Sequence, residues 1–349
     1  MTPKRILIVS DAWEPQVNGV VRTLRATIDE LERRGHSITL VTPCLFRSVP
    51  CPTYPEIRLA IARPATVEMH LEQAKADAIH IATEGPLGLI TRRWCQRSGL
   101  PFTTSYHTQF PDYVAARTPF SPATIWKYVR WFHGPATQIL TATPSLRAQL
   151  HQQGLTNLSE WSRGVDHQLF RPDLPKHPAF KNLPKPEALY VGRIAVEKSV
   201  EDFLSLDLPG SKVVVGDGPA RSDLEQEFPD AHFLGAMQGE MLARAYASAD
   251  AFIFPSKTDT FGLVLIEAMA CGTPIAAYPV MGPIDIVTPA SGVLSDNLTD
   301  AVHAALKLDR NGVTGAARTY NWERATDQFL AALRPFEIKG LTQTALCVA

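Results

Sequence analysis

The chain has 349 residues, 45% apolar and 20% charged, an ordinary balance for a globular protein with room for two domains. Its 34 basic residues face 35 acidic ones, which argues against a dedicated nucleic-acid binder, since such proteins carry a clear basic excess. Lys4-Arg5 leads only into ILIVS before Asp11, and the five cysteines (Cys44, Cys51, Cys95, Cys271, Cys347) are scattered; neither a secretory signal, nor a spanning helix, nor a zinc site is read, and reduced thiols in a cytoplasmic protein are expected.

Residues 5–9 (RILIV) form a short apolar run suited to a buried parallel strand. After the turn-rich loop DAWEPQVNG, Val20, Val21, Leu24, Ile28 and Leu31 recur at helical spacing and Gly35 fits the C-cap. HSITLVTP then completes a strand–helix–strand unit. Further strands are expected at DAIHIAT (77–83), PFTTSYHT (101–108) and ATQILTAT (136–143), with helices at GPLGLITRRWCQRSG and from Pro144 to about Gly154. Residues 171–187 carry five prolines and read as a linker. The alternation restarts with ALYVG (188–192), a helix around 197–206, KVVVGDGP (212–219), HFLG (232–235) and another helix. ADAFIFPS (249–256), a helix over 262–271 and PIAAYP (274–279) follow. Such alternation predicts an α/β protein with two parallel-sheet halves facing a central cleft, the default ligand site.

The segment 253–274, IFPSKTDTFGLVLIEAMACGTP, reads as strand, polar turn and helix. The first amides of a helix lack partners and carry the positive end of its dipole. Phe261, Gly262 and Leu263 form that helix start, and a phosphate or sugar hydroxyl placed there gains hydrogen bonds. Glu267 is either a solvated helix residue or a buried acceptor for ribose hydroxyls. Its apolar neighbours, Leu263 to Ile266 and Ala268 to Ala270, call for a partner. Asp259 stands eight residues earlier, as a turn former or a second acid. Arg193 and Lys198, just after the strand ALYVG, are either surface charges or the cations that a departing nucleoside diphosphate requires. GDGP, with Gly218, follows the next strand as a tight turn. Gly19 lies at a helix start in PQVNGVVRTL, a further candidate anion contact. His107 ends the strand TTSYHT, where an ordinary polar histidine is the alternative to a functional one.

These segments together resemble the retaining glycosyltransferases of family 4, the GT-B type with two Rossmann-like domains. Asp259 and Glu267 match that family's pair of acids with seven residues between them, although the first is usually Glu. GRIAVEKS resembles its GR-(x)-EK motif, GDGP its turn near the nucleotide base, and WSRGVDHQLFRP its hinge pattern, with Arg163 and Asp166 in structural roles. The resemblance runs from Gly19 to about Trp322. It implies that Glu267 holds the ribose, that Asp259 lies near the donor sugar, and that Arg193, Lys198 and Gly19 meet the diphosphate. Gly218 has a supporting role, and His107 falls at the catalytic centre. TDTFG and TEGPLG (with Glu84) are similar to the sulfoquinovosyl-diacylglycerol, glycosyl-diacylglycerol and lipid mannosyl synthases. The implied domains are 1–168 on the acceptor side, a linker at 169–187, and a donor domain at 188–318. A helix at 319–336 would cross back, and a disordered tail would fill 337–349. No metal is expected, because cationic side chains replace it.

The acceptor reading rests on TPFSPATIWKYVRWFHG (118–134), where Trp126 and Trp131 mix with Lys127 and Arg130. Such a helix suits a membrane interface; a core helix with a charged outer face is the alternative, and TRRWCQR (91–97) adds charge. The subgroup resemblance favours the membrane. The expectation is thus a hexosyltransferase, peripheral on the inner face of the cell membrane, moving glucose, glucuronate or mannose from a UDP- or GDP-sugar to diacylglycerol. A GDP-mannose-dependent transferase with another lipid or polysaccharide acceptor, and a nucleotide-sugar epimerase, are the rivals. A Rossmann dehydrogenase lacks its GxGxxG after the first strand.

Overall fold

The computed structural model describes residues 4–16, 18–51, 54–107 and 121–336; the expected tail at 337–349 and the stretch 118–120 lie outside them. In chain order the first part runs β1 (Arg5–Val9), α1 (Gly19–Arg33), β2 (Ser37–Val41), β3 (Arg47–Cys51), β4 (Tyr54–Ile61), α2 (Pro64–Gln73), β5 (Ala78–Ile81), α3 (Pro86–Arg97), β6 (Thr103–Tyr106), α4 (Pro122–His133), β7 (Gln138–Thr141), α5 (Pro144–Gln152) and β8 (Leu158–Glu160). The second part runs β9 (Glu187–Val191), α6 (Val200–Leu204), β10 (Ser211–Val215), α7 (Arg221–Glu227), β11 (His232–Phe233), α8 (Gly239–Ser248), β12 (Ala251–Phe254), α9 (Leu263–Ala270), β13 (Ile275–Ala277), α10 (Pro283–Ile286), β14 (Gly292–Leu294), α11 (Leu298–Ala305), α12 (Arg310–Ala317) and α13 (Trp322–Ala332).

Two compact units result. The first gathers the described residues of Met1–Thr141, Leu150–Ser159 and Thr326–Ala349; the second takes Ala142–Gln149 and Glu160–Ala325. Each centres on a six-stranded sheet, ordered β2-β1-β5-β6-β7-β8 in the first and β11-β10-β9-β12-β13-β14 in the second. The pairings β1 with β2 and β5, and β9 with β10 and β12, are parallel. The second order is the doubly wound pattern, in which ligands meet the carboxyl ends of the strands.

The apolar runs explain the second sheet directly. Leu189, Val191, Val213, Val215, Phe252 and Phe254 fill one core cluster. Ala188, Tyr190, Val214, Ala251 and Ile253 fill another. Alternate residues thus bury opposite faces of one sheet, which is why its strands read as unbroken hydrophobic runs. Each fully buried Leu, Val or Phe contributes about 1.5–3 kcal/mol. In the first unit, α1 buries Val21, Leu24, Ile28 and Leu31, and the Asn18 side chain accepts from the Val21 amide at 3.0 Å, capping the helix.

Three stretches depart from the sequence reading. The antiparallel hairpin β3–β4 and helix α2 were not anticipated, because the prolines of this stretch hide both periodicities. The helix expected around 197–206 is a 3-10 turn, Val196–Lys198, followed by the five-residue α6; Ser199 between them sits at φ 49°, which breaks the helical run. Residues 169–187, expected as a linker, are packed into the second unit: Phe170 and Phe180, 5% and 0% exposed, share a cluster with Phe252 and Leu265. The prolines shape the path, and the aromatic residues between them anchor it.

Candidate active site

In the second unit the turn between β12 and α9 is fastened to the 197–202 segment. Lys257 Nζ meets Asp202 Oδ2 at 2.9 Å and lies over the Tyr278 ring at 4.4 Å. The Thr258 hydroxyl donates to the Glu197 carbonyl at 3.3 Å. Lys198 Nζ donates to Asp259 Oδ1 at 2.6 Å. Two segments about sixty residues apart in sequence therefore bring a cation and an acid together, both largely shielded from solvent. The second oxygen of that acid, Asp259 Oδ2, is enclosed with no hydrogen-bond partner among the described residues, and so is Ser256 Oγ. Enclosed acceptors and hydroxyls without partners are rare and costly.

Gly262 is the N-cap of α9, at φ 92°, a conformation that glycine adopts at little cost. Among the described residues no side chain caps this helix, and its first turn holds no acid. Phe261, beside the cap, is buried and meets Tyr320 edge-on at 6.0 Å; Leu263 is half-buried. Within α9 Glu267 is buried among Leu265, Ile266, Ala268, Met269 and Ala270. The Tyr246 hydroxyl, from α8, donates to its Oε2 at 3.1 Å. Burial first, and the Glu267 charge second, push the Cys271 thiol up. Arg193 follows β9, and its carbonyl accepts from the Tyr190 hydroxyl at 2.8 Å, which fixes the bend it occupies. At Gly218 a Cβ would run into the Ile194 carbonyl, so the close approach of these two turns requires glycine.

The other expected residues lie in the first unit. Gly19 is the exposed first residue of α1. His107 follows β6, and its Nε2 lies 2.8 Å from Ser105 Oγ. Of the α4 residues, Lys127 is exposed, Trp131 is 45% exposed, and half-buried Arg130 donates to Gln153 at 3.4 Å. Trp126, expected at a membrane surface, is instead 9% exposed and stacked on Tyr106 at 6.2 Å. It belongs to the face of α4 that buries Ile125, Val129 and Phe132. In TRRWCQR, Arg92 is buried and donates to the Phe132 and Trp131 carbonyls at 2.9 and 2.6 Å, satisfying the end of α4. Its guanidinium stacks on Trp131 at 3.9 Å. Burial lowers the Arg163 pKa to about 9, and this side chain lies against Trp161 at 4.7 Å.

Asp11 was not singled out from sequence. Its carboxylate accepts from the Leu87 and Gly88 amides at 2.8 and 3.2 Å, at the start of α3, and from the Thr83 hydroxyl at 3.0 Å. Burial outweighs these bonds and raises its pKa to about 6. Asp11 thus fills the helix start, while Glu84 Oε1 meets His133 Nε2 at 3.1 Å.

The family model "Glycosyltransferase Family 4" matches residues 17–169, and "Glycosyl transferases group 1" matches residues 185–311. A GDP-mannose-dependent alpha-mannosyltransferase of Mycobacterium tuberculosis is 30% identical over 98% of this chain and 99% of its own length. The chain belongs to glycosyltransferase family 4. Sulfoquinovosyl transferase SQD2 of Arabidopsis thaliana is 33% identical, across 82% of this chain and 61% of that protein. Alpha-monoglucosyldiacylglycerol synthase of Streptococcus pneumoniae is 26% identical, across 89% and 77%. A sucrose-phosphate synthase structure from Thermosynechococcus elongatus superposes with a TM-score of 0.77 at 22% identity, over 93% of this chain and 97% of that one. The fold is GT-B, with two Rossmann-like halves. The enzyme is a glycosyltransferase that uses a nucleotide sugar. Among the described residues no group of three His, Cys, Asp or Glu could hold a metal ion, and no helix is long and apolar enough to cross a membrane.

Proposed function

We propose that this glycosyltransferase moves a hexose, with retention, from a UDP- or GDP-sugar to a lipid acceptor, diacylglycerol foremost. The observation that carries the donor reading is the β12–α9 turn. It pairs a helix start capped by no side chain with two enclosed polar atoms, Asp259 Oδ2 and Ser256 Oγ, that have no partner among the described residues. A donor sugar and its diphosphate supply what these groups lack: hydroxyl donors for Asp259, and anionic oxygens for the Gly262–Leu263 amides.

In this reading Arg193 and Lys198 receive the diphosphate, Glu267 the ribose hydroxyls, and Phe261 and Gly218 bound the nucleotide's place. As the C1–O bond breaks with oxocarbenium character, negative charge grows on the leaving diphosphate. Each well-placed donor to that charge is worth about 3–4 kcal/mol. Lys198 now pairs with Asp259, so donor binding exchanges a carboxylate for phosphate oxygens at the same ammonium. His107 and Gly19 are assigned to the reaction on the family pattern.

The lipid acceptor is supported by relatives named as glycolipid-forming enzymes and by α4. Its exposed Trp131 and Lys127, with Arg130 beside them, form an aromatic and basic patch suited to peripheral docking on the inner leaflet. A mannosyl donor is the second reading, favoured by the relative named as GDP-mannose-dependent. The test incubates the enzyme with radiolabelled UDP-glucose, UDP-glucuronate and GDP-mannose and a lipid extract. Label from one donor should enter the organic phase, and Trp131→Ala should reduce it. Label passing only into water-soluble products would refute the lipid acceptor.

A further inference from the structure

Two acids stand at the carboxyl end of the first sheet, and only one of them is fully bonded within the fold. β5 and β6 run parallel, so Glu84, just past β5, and His107, just past β6, lie at the same end of the sheet, where ligands of such sheets bind. Both oxygens of Asp11 are taken, Oδ1 by the Leu87 amide and Oδ2 by the Gly88 amide and the Thr83 hydroxyl. Glu84 differs. Its side chain is 15% exposed, and Oε1 lies 3.1 Å from Nε2 of the fully buried His133. Oε2 has no hydrogen-bond partner among the described residues. On the far side of the imidazole, Nδ1 lies 2.8 Å from Thr104 Oγ1 on β6. The same helix holds Glu84 a second time, since the Tyr128 hydroxyl donates to the Glu84 carbonyl at 2.6 Å.

From this arrangement we infer that Glu84 is an acceptor-binding residue: Oε2 receives the hydrogen of the acceptor hydroxyl, and His133 and Tyr128 of α4 are the positioning residues that hold the carboxylate for it. The inference rests on the proposal that the first unit takes a lipid acceptor at α4. A carboxylate largely withdrawn from water needs hydrogen bonds at its oxygens, and here the fold supplies them at one oxygen only. The neighbouring acid makes the placement costly, because the Glu84 charge adds to the burial that raises the Asp11 pKa. Acids kept together at such a cost gather at functional sites. An ionised carboxylate offers only lone pairs, so the group it selects is a hydroxyl, such as the free hydroxyl of diacylglycerol, and a phosphate at that place is repelled. Helix α4 then has two tasks. Exposed Trp131 and Lys127 form the patch proposed for the bilayer, while Tyr128 and His133 set the carboxylate that meets the acceptor.

The experiment uses the full chain as wild type, Glu84→Gln, Glu84→Ala, His133→Gln and His133→Phe. Initial rates are measured with the donor that labels wild-type product, against dioctanoylglycerol in mixed micelles and against a lipid extract, with label counted in the organic and aqueous phases. Calorimetric titration of UDP and GDP follows nucleotide binding, and urea unfolding follows the fold. Glu84→Gln should keep the urea midpoint and bind nucleotide within about threefold of wild type. Its kcat/KM for dioctanoylglycerol, and its rate on the extract, should fall about ten- to hundredfold, the range of one hydrogen bond to a charged group. His133→Gln, whose amide nitrogen can reach the place of Nε2, should keep most of the activity, and His133→Phe should fall towards Glu84→Gln. Unchanged transfer by both Glu84 variants would overturn the inference. So would a loss of transfer that tracks a loss of nucleotide affinity or a fall in urea midpoint across the four variants. Label found only in the aqueous phase would refute the lipid acceptor, and the ratio of Glu84→Gln to wild type in that phase would then decide the role of Glu84.

Discussion

Helices α3 and α9 both begin after a buried parallel strand, and both have glycine at the N-cap, Gly85 and Gly262. Their first turns are occupied differently. At α3 the protein supplies its own anion, Asp11, whose carboxylate takes the Leu87 and Gly88 amides. Gly85 permits this, since a Cβ there would press on the Asp11 side chain. At α9 no side chain among the described residues takes that place, the first turn holds no acid, and a lysine ion pair stands in the adjoining turn. The same local geometry thus serves as a structural clamp in one unit and as the donor site proposed here in the other. What separates them is whether a carboxylate from a neighbouring strand reaches the amides.

The comparison breaks first at Lys198. Lys198→Ala should lower kcat/KM by about two to three orders of magnitude, roughly 3–4 kcal/mol, if its ammonium meets the leaving diphosphate. Steady-state kinetics with the active donor read this directly; a change below about threefold would make Lys198 only the ion-pair partner of Asp259.

A smaller effect is expected at α3. The Asp11 pKa is raised by burial from the ordinary 3.8 to about 6. Between these values the folded state holds a proton that the unfolded state has released, so stability from this group falls as pH rises from about 4 to 6 and is flat beyond. Asp11→Asn keeps an acceptor and cannot ionise. Relative to it, wild type should lose about 2.4 kcal/mol between pH 4 and pH 7, measured by urea unfolding at each pH. A parallel pH dependence of the two proteins would show that Asp11 is not buried as an acid.

Much of the second unit was legible because its signals are local. Unbroken apolar runs mark strands buried on both faces, and Gly262 followed by an acid in an apolar helix marks the turn proposed to hold the donor within about twenty residues. The pairing of Lys198 with Asp259 has no such local signal, yet each residue was visible in its own motif. Asp11 and the contact of His133 with Glu84 were not visible, because the partners come from other elements and depend on the sheet register. The Trp126 reading failed for a related reason. Periodicity places Ile125, Val129 and Phe132 on one side of α4, but only the packed structure shows Tyr106 waiting for the indole. The proline-rich 169–187 segment hides two anchoring phenylalanines, whose burial needs the second sheet to be present.

The most direct test of the donor assignment is a calorimetric titration of UDP and GDP, without sugar or acceptor, into wild type, Glu267→Gln and Asp11→Asn. The nucleotide that binds wild type should bind Asp11→Asn equally well. It should bind Glu267→Gln at least about tenfold more weakly, a loss of roughly 1.4 kcal/mol or more. Equal affinity for wild type and Glu267→Gln, or a loss confined to Asp11→Asn, would contradict the assignment of the nucleotide to α9.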